Sequence, residues 1–566
     1  MSHSQTHKWK RYITQTLLFL CLISVSFFIS ACSKDESPDK DVDSETETEA
    51  TTEATSEDAE PETDETVLLP APYMVDGAVK YGYIDLNGNK VIEPIYDFAT
   101  EFSEGFAVVS LYTDVEIKNQ VIDQKGNVIF ENGDSISPFV NGYAAYMDTS
   151  TYQKGFIDTT GNIVIPPAYT VVSDFNSDGH AYAIDDSGAL IKLDTQGKVL
   201  DVLDLGYIGP SIYDIKDGYA TFSTYSDEGN FMGVIDMKGK SIIEAVPSNI
   251  INLGSGRFAV SDPSYPYYEY QNAPSAIFNE KGEALTDYLY FDLGTYRNGF
   301  VSAVDDRYTY FLDLDGNKLP GNLAQEGRGY MSYMPWGISA MIDDTVSYHR
   351  PDGELIWIQD KTIQLTESIT VSEEKFRPTR MALIKYPSFK GLENADAERA
   401  INDTIKDAFV NTRDQEYLQN LSVDDDYSVD LRGDLLSILK TGYDYPLGAA
   451  HGMPLMEVYF ADIKTGDFFT LSDLFDESKP YLEELSVIVG EEIQRRSADA
   501  SSMLFPESYM GVTEDTKFYI KGDTLVIYFY PYDIAAYAAG FQEFEISFDD
   551  ILPLIDTEGA FWKAFH

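Results

Sequence analysis

The sequence predicts a multi-domain protein in which an all-β repeat domain is followed by an α+β domain. Two observations lead to this fold class. A short segment that ends in a glycine turn recurs eight times between Tyr81 and Ile356, at spacings of 34 to 43 residues, which is typical of a repeated supersecondary unit. After Ile358 the recurrence stops, and helical and strand patterns alternate. The repeat domain is expected to be propeller-like, with an open β-solenoid as the alternative.

Residues 1–32 have the features of an export signal. Three basic residues precede an apolar stretch over residues 13–29, and small residues come before Cys32. Ile29-Ser30-Ala31-Cys32 resembles the lipobox of bacterial lipoproteins. In that family the chain is cut before the cysteine, whose sulfur carries a diacylglycerol. The resemblance implies a lipid on Cys32 that anchors the chain to the outer face of the cytoplasmic membrane, in a monoderm bacterium. The alternative is an uncleaved anchor, for which 17 residues is short.

Residues 33–66 are predicted to be a disordered acidic tether. They contain 15 acidic residues against Lys34 and Lys40, with almost no apolar side chains, so burial cannot offset the entropy of ordering them. A flexible chain of this length reaches about 30–35 Å. The tether would therefore hold the folded part away from the membrane.

The folded part is also acidic. Of the total charge of −55, residues 67–566 carry −45, which repels nucleic acid and attracts cationic partners. An acidic coat that only maintains solubility is the alternative. The two cysteines are Cys21 and Cys32, and Cys21 lies in the signal. No disulfide, cysteine nucleophile or thiolate metal site is therefore expected.

The recurring turns have a residue pattern that predicts β-hairpins. Asp or Asn stands three positions before the glycine in seven copies, as in Asp85 to Gly88, and Arg350 takes this place in the eighth. Asp or Asn at the first position and glycine at the fourth suit a type I turn with a bulge. The flanking residues are β-branched or aromatic. The turn glycines are Gly88, Gly126, Gly161, Gly197, Gly239, Gly282, Gly316 and Gly353.

A second series of glycines, 16 to 21 residues later, opens another strand in seven of the eight copies, so about three strands per unit are predicted. Lys80-Tyr81-Gly82-Tyr83-Ile84-Asp85 and Lys154-Gly155-Phe156-Ile157-Asp158 resemble the hairpin of the WG-type β-repeat family. Ser103-Glu104-Gly105-Phe106-Ala107 resembles its other strand, and the tryptophan of the family is mostly absent. The resemblance implies a WG-type repeat domain over residues 67–362.

The second domain is predicted over residues 367–566. Residues 394–413 place apolar side chains on one helical face, with Asn394 as the N-cap, and Pro480 suits the start of a second helix. Strands are predicted at residues 381–386, 427–440, 455–463, 518–520, 525–530 and 544–548.

Four segments of this domain resemble a known extracellular domain: Gly448 to Gly452, Phe460 to Gly466, Leu471 to Phe475 and Phe529 to Gly540. The resemblance is to the extracellular domain of RsiV anti-sigma factors, which also occurs beside peptidoglycan deacetylase domains. In RsiV this domain is a receptor for lysozyme. The resemblance implies an envelope ligand, but the sigma-binding and transmembrane parts of RsiV are absent from this sequence.

Candidate site residues are few. His451 stands between small residues near Asp444, and the candidates for ligand binding are His451, Tyr530 and Tyr532. The four histidines after the signal are far apart, and no zinc-spaced motif occurs. No catalytic residue, metal or cofactor is predicted. An open pocket with His451 within about 3 Å of a carboxylate would favour an enzyme instead.

Three further motifs are interpreted as structural. Ser437-Ile438-Leu439-Lys440 spells the Ser-x-x-Lys of penicillin-recognising enzymes but lies in a strand pattern. Lys464-Thr465-Gly466 is read as a hairpin turn. Asp313 to Asn317 opens like a calcium loop, but it lacks the glutamate and occupies the repeated turn.

The sequence therefore predicts a lipid-anchored extracytoplasmic binding protein of the cell envelope. Its partners would be the membrane, through the lipid on Cys32, and a cell-wall glycan or a cationic protein such as lysozyme. A peptidoglycan-modifying enzyme or enzyme accessory is one alternative, and a structural spacer or assembly scaffold is another. The sequence leaves the oligomeric state open.

Overall fold

The computed structural model describes residues 67–113, 116–132, 135–203, 211–226, 229–265, 273–320 and 323–566. They form two compact parts: a repeat domain that ends at Asp360 and a C-terminal domain that begins at Lys361. The signal, Cys32 and the tether lie outside the described residues, so their roles stay predictions. Within the described chain, we find no helix that combines the length and apolarity needed to cross a bilayer.

The repeat domain consists of antiparallel sheets whose strands follow one another in chain order, and they divide into eight units. Unit 1 contains β1 (Leu69–Val75), β2 (Ala78–Ile84) and β3 (Lys90–Tyr96). Unit 2 contains β4 (Phe98–Ala99), β5 (Phe106–Tyr112), β6 (Ile117–Asp123) and β7 (Val128–Asn132). Units 3 and 4 share the long strand β11 and contain β8 (Ser135–Ile136), β9 (Tyr143–Met147), β10 (Lys154–Asp158), β11 (Ile163–Val172), β12 (His180–Asp185), β13 (Leu190–Asp194) and β14 (Val199–Leu203).

The remaining units follow the same order. Unit 5 contains β15 (Ser211–Lys216), β16 (Tyr219–Ser226), β17 (Gly229–Asp236) and β18 (Ser241–Val246). Unit 6 contains β19 (Ile250–Gly254), β20 (Arg257–Ser261) and β21 (Ser275–Phe278). Unit 7 contains β22 (Asp292–Leu293), β23 (Val301–Val304), β24 (Tyr308–Leu312) and β25 (Gln325–Glu326), and unit 8 contains β26 (Gly329–Met334), β27 (Gly337–Ile342), β28 (Thr345–His349) and β29 (Leu355–Ile358). Most units thus have four strands, one more than predicted.

The predicted glycine turns are confirmed. In the first, Gly88 N donates to Asp85 O (3.0 Å) and Asp85 N donates to Asn89 O (2.9 Å), while Gly88 has φ of +78°. The Asp85 carboxylate also accepts from the backbone N–H groups of Asn87 and Asn89 (2.9 and 2.8 Å). The same backbone pair occurs in all eight turns, including the one that begins at Arg350. In the seven turns that begin with Asp or Asn, this side chain therefore acts as a local cap for the hairpin.

We expect these carboxylates to make the repeat domain sensitive to acid. The pKa values of Asp85 and Asp123 are lowered, mainly by the hydrogen bonds from the side chains of Asn89 and Asn127. A carboxyl with a lower pKa in the folded state stabilises that state above its unfolded pKa, and the contribution is lost as pH falls through the folded pKa. The thermal midpoint of the repeat domain should therefore fall more steeply below about pH 4.

A pair of substitutions tests this prediction. Asn279 occupies the aspartate position of one turn and accepts from the N–H groups of Lys281 and Glu283 (2.9 and 3.0 Å). The Asp85→Asn, Asp123→Asn double variant should therefore keep the turns but lose the titration. Its midpoint should depend less on pH between pH 5 and pH 3 than that of the unmodified protein. Equal acid dependence in the two proteins would contradict the prediction.

Neighbouring and terminal units make specific contacts. The hydroxyl of Ser103 donates to Phe139 O (2.6 Å), joining unit 2 to unit 3. At the two ends of the array, the hydroxyl of Tyr348 donates to the backbone oxygen of Pro70 (2.5 Å). Tyr348 also belongs to an apolar cluster that side chains of unit 1 and unit 8 form together. The first and last sheets of the repeat domain are therefore in direct contact.

The C-terminal domain combines two sheets with short helices. The larger sheet has the order β30 (Ile363–Gln364), β31 (Thr370–Thr379), β32 (Ala382–Lys390), β33 (Leu421–Arg432), β34 (Leu435–Pro446), β35 (Met453–Asp462) and β36 (Phe468–Phe469), and the smaller one contains β37 (Phe518–Lys521), β38 (Thr524–Phe529) and β39 (Gln542–Ser547). The α-helices are α1 (Ala395–Val410), α2 (Gln415–Leu418), α3 (Tyr481–Ser497), α4 (Phe548–Ile551) and α5 (Ala560–Phe565). Single 3₁₀ turns span Ser472–Leu474, Ala500–Ser502, Pro506–Ser508, Tyr537–Ala539 and Leu552–Leu554. The α+β prediction is confirmed.

The predicted helices are present and one predicted strand is wrong. The side chain of Asn394 accepts from Asp396 N and Ala397 N, as expected of the N-cap of α1. The strand predicted over residues 427–440 is instead two strands, β33 and β34, joined by a hairpin at Gly433. Gly433 has φ of +63°, a conformation that ends a strand and that glycine adopts without strain.

Candidate functional site around His451

His451 lies in the connection between β34 and β35, which hydrogen bonds hold in shape. Ala449 N donates to Pro446 O (3.0 Å), and the hydroxyl of Tyr445 donates to Ala449 O (2.7 Å). Gly448 has φ of +82°, which allows the chain to turn there. The His451 side chain is exposed at the end of this connection.

The imidazole of His451 contacts two tyrosines from the segment that follows β38. Its Nε2 lies 3.2 Å from the Tyr532 hydroxyl, and its ring stacks on Tyr537 with ring centres 4.1 Å apart. Its Nδ1 lies 3.0 Å from the backbone oxygen of Gly452. A carbonyl only accepts, so the neutral ring carries its proton on Nδ1, and the Tyr532 hydroxyl donates to Nε2.

Tyr443 completes the group from the sheet side. Gly452 N donates to the Tyr443 hydroxyl (2.8 Å), and the Tyr537 hydroxyl donates to Gly452 O (3.0 Å). The hydroxyls of Tyr443 and Tyr537 lie 3.3 Å apart. This contact is the main cause that raises the pKa of Tyr537 to about 12, and desolvation is the second cause. We call His451, Tyr443, Tyr532 and Tyr537 the His451 cluster.

The backbone at Tyr532 is strained. Its φ of +75° lies in the left-handed region that bulky side chains avoid. Tyr532 N donates to Ala535 O (3.1 Å), Asp533 N donates to Tyr530 O (3.1 Å), and the Asp533 carboxylate accepts from Tyr530 N (2.9 Å). Such a conformation costs about 1–3 kcal/mol and is found most often at functional sites. Here it leaves the Tyr532 ring 55% exposed beside His451.

Two of the three candidate residues lie together in the structure, and the third, Tyr530, lies outside the cluster. His451 and Tyr532 form the cluster, whereas the hydroxyl of Tyr530 donates to Met456 O (2.6 Å). The Tyr528 hydroxyl donates to the same oxygen (2.8 Å). Desolvation raises the pKa of Tyr530 to about 12. Tyr530 therefore anchors β38 to β35 and is not part of the exposed group.

Asp444, the acidic residue near His451 in sequence, is bound elsewhere. Its carboxylate accepts from Arg413 at Nη2 (2.7 Å) and Nε (3.0 Å). Arg413 also donates twice to Asp425 (2.7 and 2.9 Å), whose carboxylate is fully buried. The Nζ of Lys440, from the Ser-x-x-Lys sequence, lies 3.7 Å from Asp425 and donates to Ala408 O. We call Arg413, Asp425, Lys440 and Asp444 the buried ion network.

The His451 cluster is suited to stacking and hydrogen bonding. Both imidazole nitrogens already have partners, a backbone carbonyl and a tyrosine hydroxyl. In the described part of the chain, no three His, Cys, Asp or Glu side chains are grouped as a metal would require. The exposed ring of Tyr532 offers an apolar face and a hydroxyl. This combination suits a ligand that has both an apolar face and hydrogen-bonding groups.

Two members of the cluster were missed by sequence reasoning. Tyr443 precedes His451 by eight residues and lies within β34, where alternation alone predicts a strand residue. Tyr537 follows 86 residues later, in a segment of small residues. The one available signal was that Tyr537 interrupts the small-residue segment from Ala535 to Gly540.

Comparisons with known proteins support both resemblances. The WG containing repeat matches residues 81–111 and 155–184, and the family described as a protein of unknown function, DUF3298, matches residues 472–549. The peptidoglycan-N-acetylmuramic acid deacetylase PdaC of Bacillus subtilis is 30% identical over 113 residues. That match spans 20% of this chain and 24% of PdaC.

Solved structures are more distant. A DUF3298 family member from Bacteroides fragilis is 14% identical, with a TM-score of 0.27 over 35% of this chain and 96% of its own. BamB from Moraxella catarrhalis is 16% identical, with a TM-score of 0.32 over 53% of this chain and 96% of its own. The family models and the match to PdaC together show that this chain carries WG repeats followed by a DUF3298 domain.

Proposed function

We propose that the protein is a lipid-anchored, extracytoplasmic binding protein and that its C-terminal domain binds a cell-wall glycan through the His451 cluster. The observation that carries the proposal is the exposed, strained Tyr532 stacked beside His451 and Tyr537. The DUF3298 domain and the match to a peptidoglycan deacetylase indicate a cell-wall-associated role. The lipobox-like sequence before Cys32 supports the anchor.

Binding without catalysis fits the geometry best. His451 would act as a base only through a nitrogen that is free to accept a proton, and its Nε2 is occupied by the Tyr532 hydroxyl. The neighbouring carboxylate of Asp444 is held by Arg413. The cluster is therefore proposed to hold its ligand by stacking on the rings and by hydrogen bonds to the tyrosine hydroxyls.

A cationic wall-directed protein such as lysozyme is the second candidate ligand. The C-terminal domain has 38 acidic residues and 18 basic ones, a balance that attracts positively charged proteins. Specific recognition should survive about 0.3 M salt, where attraction between exposed charges is largely screened. Attraction to the acidic surface alone would vanish at that salt concentration and would extend to unrelated basic proteins.

We expect Tyr532→Ala to weaken glycan binding about tenfold, because it removes an exposed stacking face. The measurement is calorimetry of the purified protein with soluble oligomers of alternating N-acetylglucosamine and N-acetylmuramic acid. Tyr532→Phe should weaken binding less than Tyr532→Ala, since it keeps the stacking face and loses only the hydroxyl, with its bond to His451. Tyr225→Ala, at an 84% exposed tyrosine of the repeat domain, is the matched control.

Two results would overturn the glycan proposal. One is an absence of binding by the unmodified protein, and the other is an equal loss of affinity in Tyr532→Ala and Tyr225→Ala. Calorimetry with lysozyme at low and high salt, beside an equally basic unrelated protein, then tests the second candidate. Salt-resistant binding to lysozyme alone would support it.

For the repeat domain, we propose a closed propeller of eight units. The contact between Tyr348 of unit 8 and Pro70 of unit 1 supports this proposal. The rings of Tyr73 and Trp357, also from these units, lie 5.8 Å apart. An open solenoid would leave its first and last units exposed to solvent.

A further inference from the structure

A second concave site lies in the C-terminal domain, where the end of α3 meets the 3₁₀ turn before β39. It is a pocket of about 450 Å³, a volume within the range of about 300–1,000 Å³ that small-ligand sites occupy. Its lining residues include Arg495, Arg496, Met503, Ala539 and Gln542. None of these five belongs to the His451 cluster, so the pocket is a candidate site in addition to that cluster.

The pocket lies directly beside the His451 cluster. Ala536 N donates to Met503 O (3.0 Å), which joins one wall of the pocket to the segment that carries two tyrosines of the cluster. Ala539 lines the pocket, and Tyr537 of the same 3₁₀ turn stacks on the imidazole of the cluster. Cα atoms of residues two positions apart are separated by at most about 7 Å. A ligand of several sugar rings is longer than this, so one ligand can contact both sites.

Backbone strain links the two sites. Among the described residues of the C-terminal domain, Met503 and Tyr532 are the two non-glycine residues whose φ lies in the left-handed region, at +53° and +75°. Met503 lines the pocket, and Tyr532 belongs to the cluster. Such conformations are unfavourable and occur most often at functional sites. The strain of this domain is thus concentrated at the two adjacent sites.

The two arginines of the pocket have hydrogen-bond donors to spare. The carboxylate of Glu492, one turn earlier in α3, accepts two bonds from Arg495 (both 2.6 Å) and one from Nε of Arg496 (2.7 Å). A guanidinium carries five N–H groups. Among the described residues, Nη1 of Arg495 and both Nη atoms of Arg496 have no hydrogen-bond partner. Glu492 therefore orients the arginines and leaves these N–H groups for a ligand.

The pocket also offers an acceptor. Gln542 Nε2 donates to Ala539 O (2.9 Å), and its Oε1 has no partner among the described residues. Asp499, on the pocket wall, accepts at Oδ1 from the N–H and the hydroxyl of Ser501 (2.9 and 2.8 Å). Asp499 and Glu492 balance the charges of the two arginines, so the pocket is neutral within an acidic domain. An anion would therefore be bound by the spare N–H groups of the arginines, and an N–H or O–H group of the same ligand by Gln542.

We propose that Arg495 and Arg496 bind a carboxylate of the same glycan that stacks on the His451 cluster, so that the ligand is an acidic glycan. Guanidinium groups match a carboxylate in geometry and form charge-assisted hydrogen bonds with it. In a wall glycan the carboxylate belongs either to the lactyl group of N-acetylmuramic acid or to a peptide attached there. This inference rests on the proposed function and names the class of glycan.

The test is calorimetry of the purified protein with three forms of one tetrasaccharide of alternating N-acetylglucosamine and N-acetylmuramic acid. The acid form has free lactyl carboxylates, the methylamide form has none, and the peptide form carries its carboxylates on a dipeptide at each lactyl group. The acid or the peptide form should bind about tenfold more tightly than the methylamide form. Whichever of these two binds more tightly identifies the carboxylate.

We expect Arg495→Gln to weaken binding of the carboxylate form about tenfold and to leave binding of the methylamide form within about twofold. Tyr532→Ala should weaken both forms alike, because stacking does not depend on the carboxylate. The matched control is Arg399→Gln, at an exposed arginine of α1 that pairs with Asp396 three positions away (3.2 Å). Arg495→Lys keeps the charge and should retain part of the affinity. Arg495 is 72% exposed, and a surface ion pair contributes little to stability, so Arg495→Gln should fold.

Three results would overturn this inference and leave the proposed function standing, provided that Tyr532→Ala still weakens binding. They are equal affinity for all three forms, an equal loss in Arg495→Gln and Arg399→Gln, and an equal loss for the carboxylate and methylamide forms in Arg495→Gln. The last result would mean that the arginine only supports the fold. An absence of binding to every form would overturn the proposed function, and this inference with it. Should Arg495→Gln not fold, the comparison of the three forms with the unmodified protein still decides the question.

Discussion

Replacing Asp425 with alanine is expected to destabilise the C-terminal domain by about 3–5 kcal/mol. Asp425 is fully buried in β33 and accepts two hydrogen bonds from Arg413. It is also the nearest carboxylate to Lys440, whose side chain is 1% exposed. Without Asp425, Arg413 retains only Asp444, and Lys440 keeps a charge inside the domain with no acid beside it. Urea denaturation, monitored by hydrogen exchange of the sheet amides, would assign the loss of stability to this domain.

Two further variants separate the buried ion network from a general effect on β33. Asp430→Ala, at an exposed position of the same strand, should change stability by less than about 0.5 kcal/mol. Adding Lys440→Met to Asp425→Ala should recover part of the loss, because it removes the uncompensated charge. If Asp425→Ala costs no more than Asp430→Ala, the network does not stabilise the fold as argued.

The parts of the fold that were predictable are those governed by local chemistry. Seven of the eight turns follow from an aspartate or asparagine and a glycine three residues later, which together satisfy the turn within five residues. The short strands β4 and β22 were not predicted, because two residues carry no periodicity. Their pairing depends on neighbouring strands that the sequence pattern does not reveal.

The acidic run Asp424-Asp425-Asp426 shows the same limit in the C-terminal domain. Aspartate is unfavourable in strands, yet this run lies in the middle of β33. Asp425 points to Arg413 in the interior, and Asp426 pairs with Lys385 (3.2 Å). Tertiary ion pairs therefore override local propensity.

The His451 cluster was half predictable for a similar reason: Tyr443 and Tyr537 are 94 residues apart and meet only in the folded chain.

Replacing Gly155 with alanine is expected to destabilise the repeat domain by about 1–3 kcal/mol, the usual cost of overpacking. Gly155 lies in β10, where the pairing with β11 is irregular. An added Cβ would clash with the backbone oxygen of Ile165 and lie 2.8 Å from Pro167 N. Backbone atoms cannot rotate away as a side chain can, so β10 and β11 would have to separate. The thermal midpoint of the repeat domain measures this loss.

Gly155 is required because a neighbouring strand approaches it closely. A second glycine shows whether this approach, and not the conformational freedom of the backbone, is what requires glycine. Gly142 has φ of +83° and open space around its Cα, so Gly142→Asn should be nearly neutral, since asparagine tolerates this conformation. Gly82, at the corresponding position of unit 1, meets the backbone of Ile92 and Pro94 in the same way. Gly82→Ala should therefore match Gly155→Ala, whereas equal effects of all three substitutions would mean that close approach is not what requires glycine in the WG hairpin.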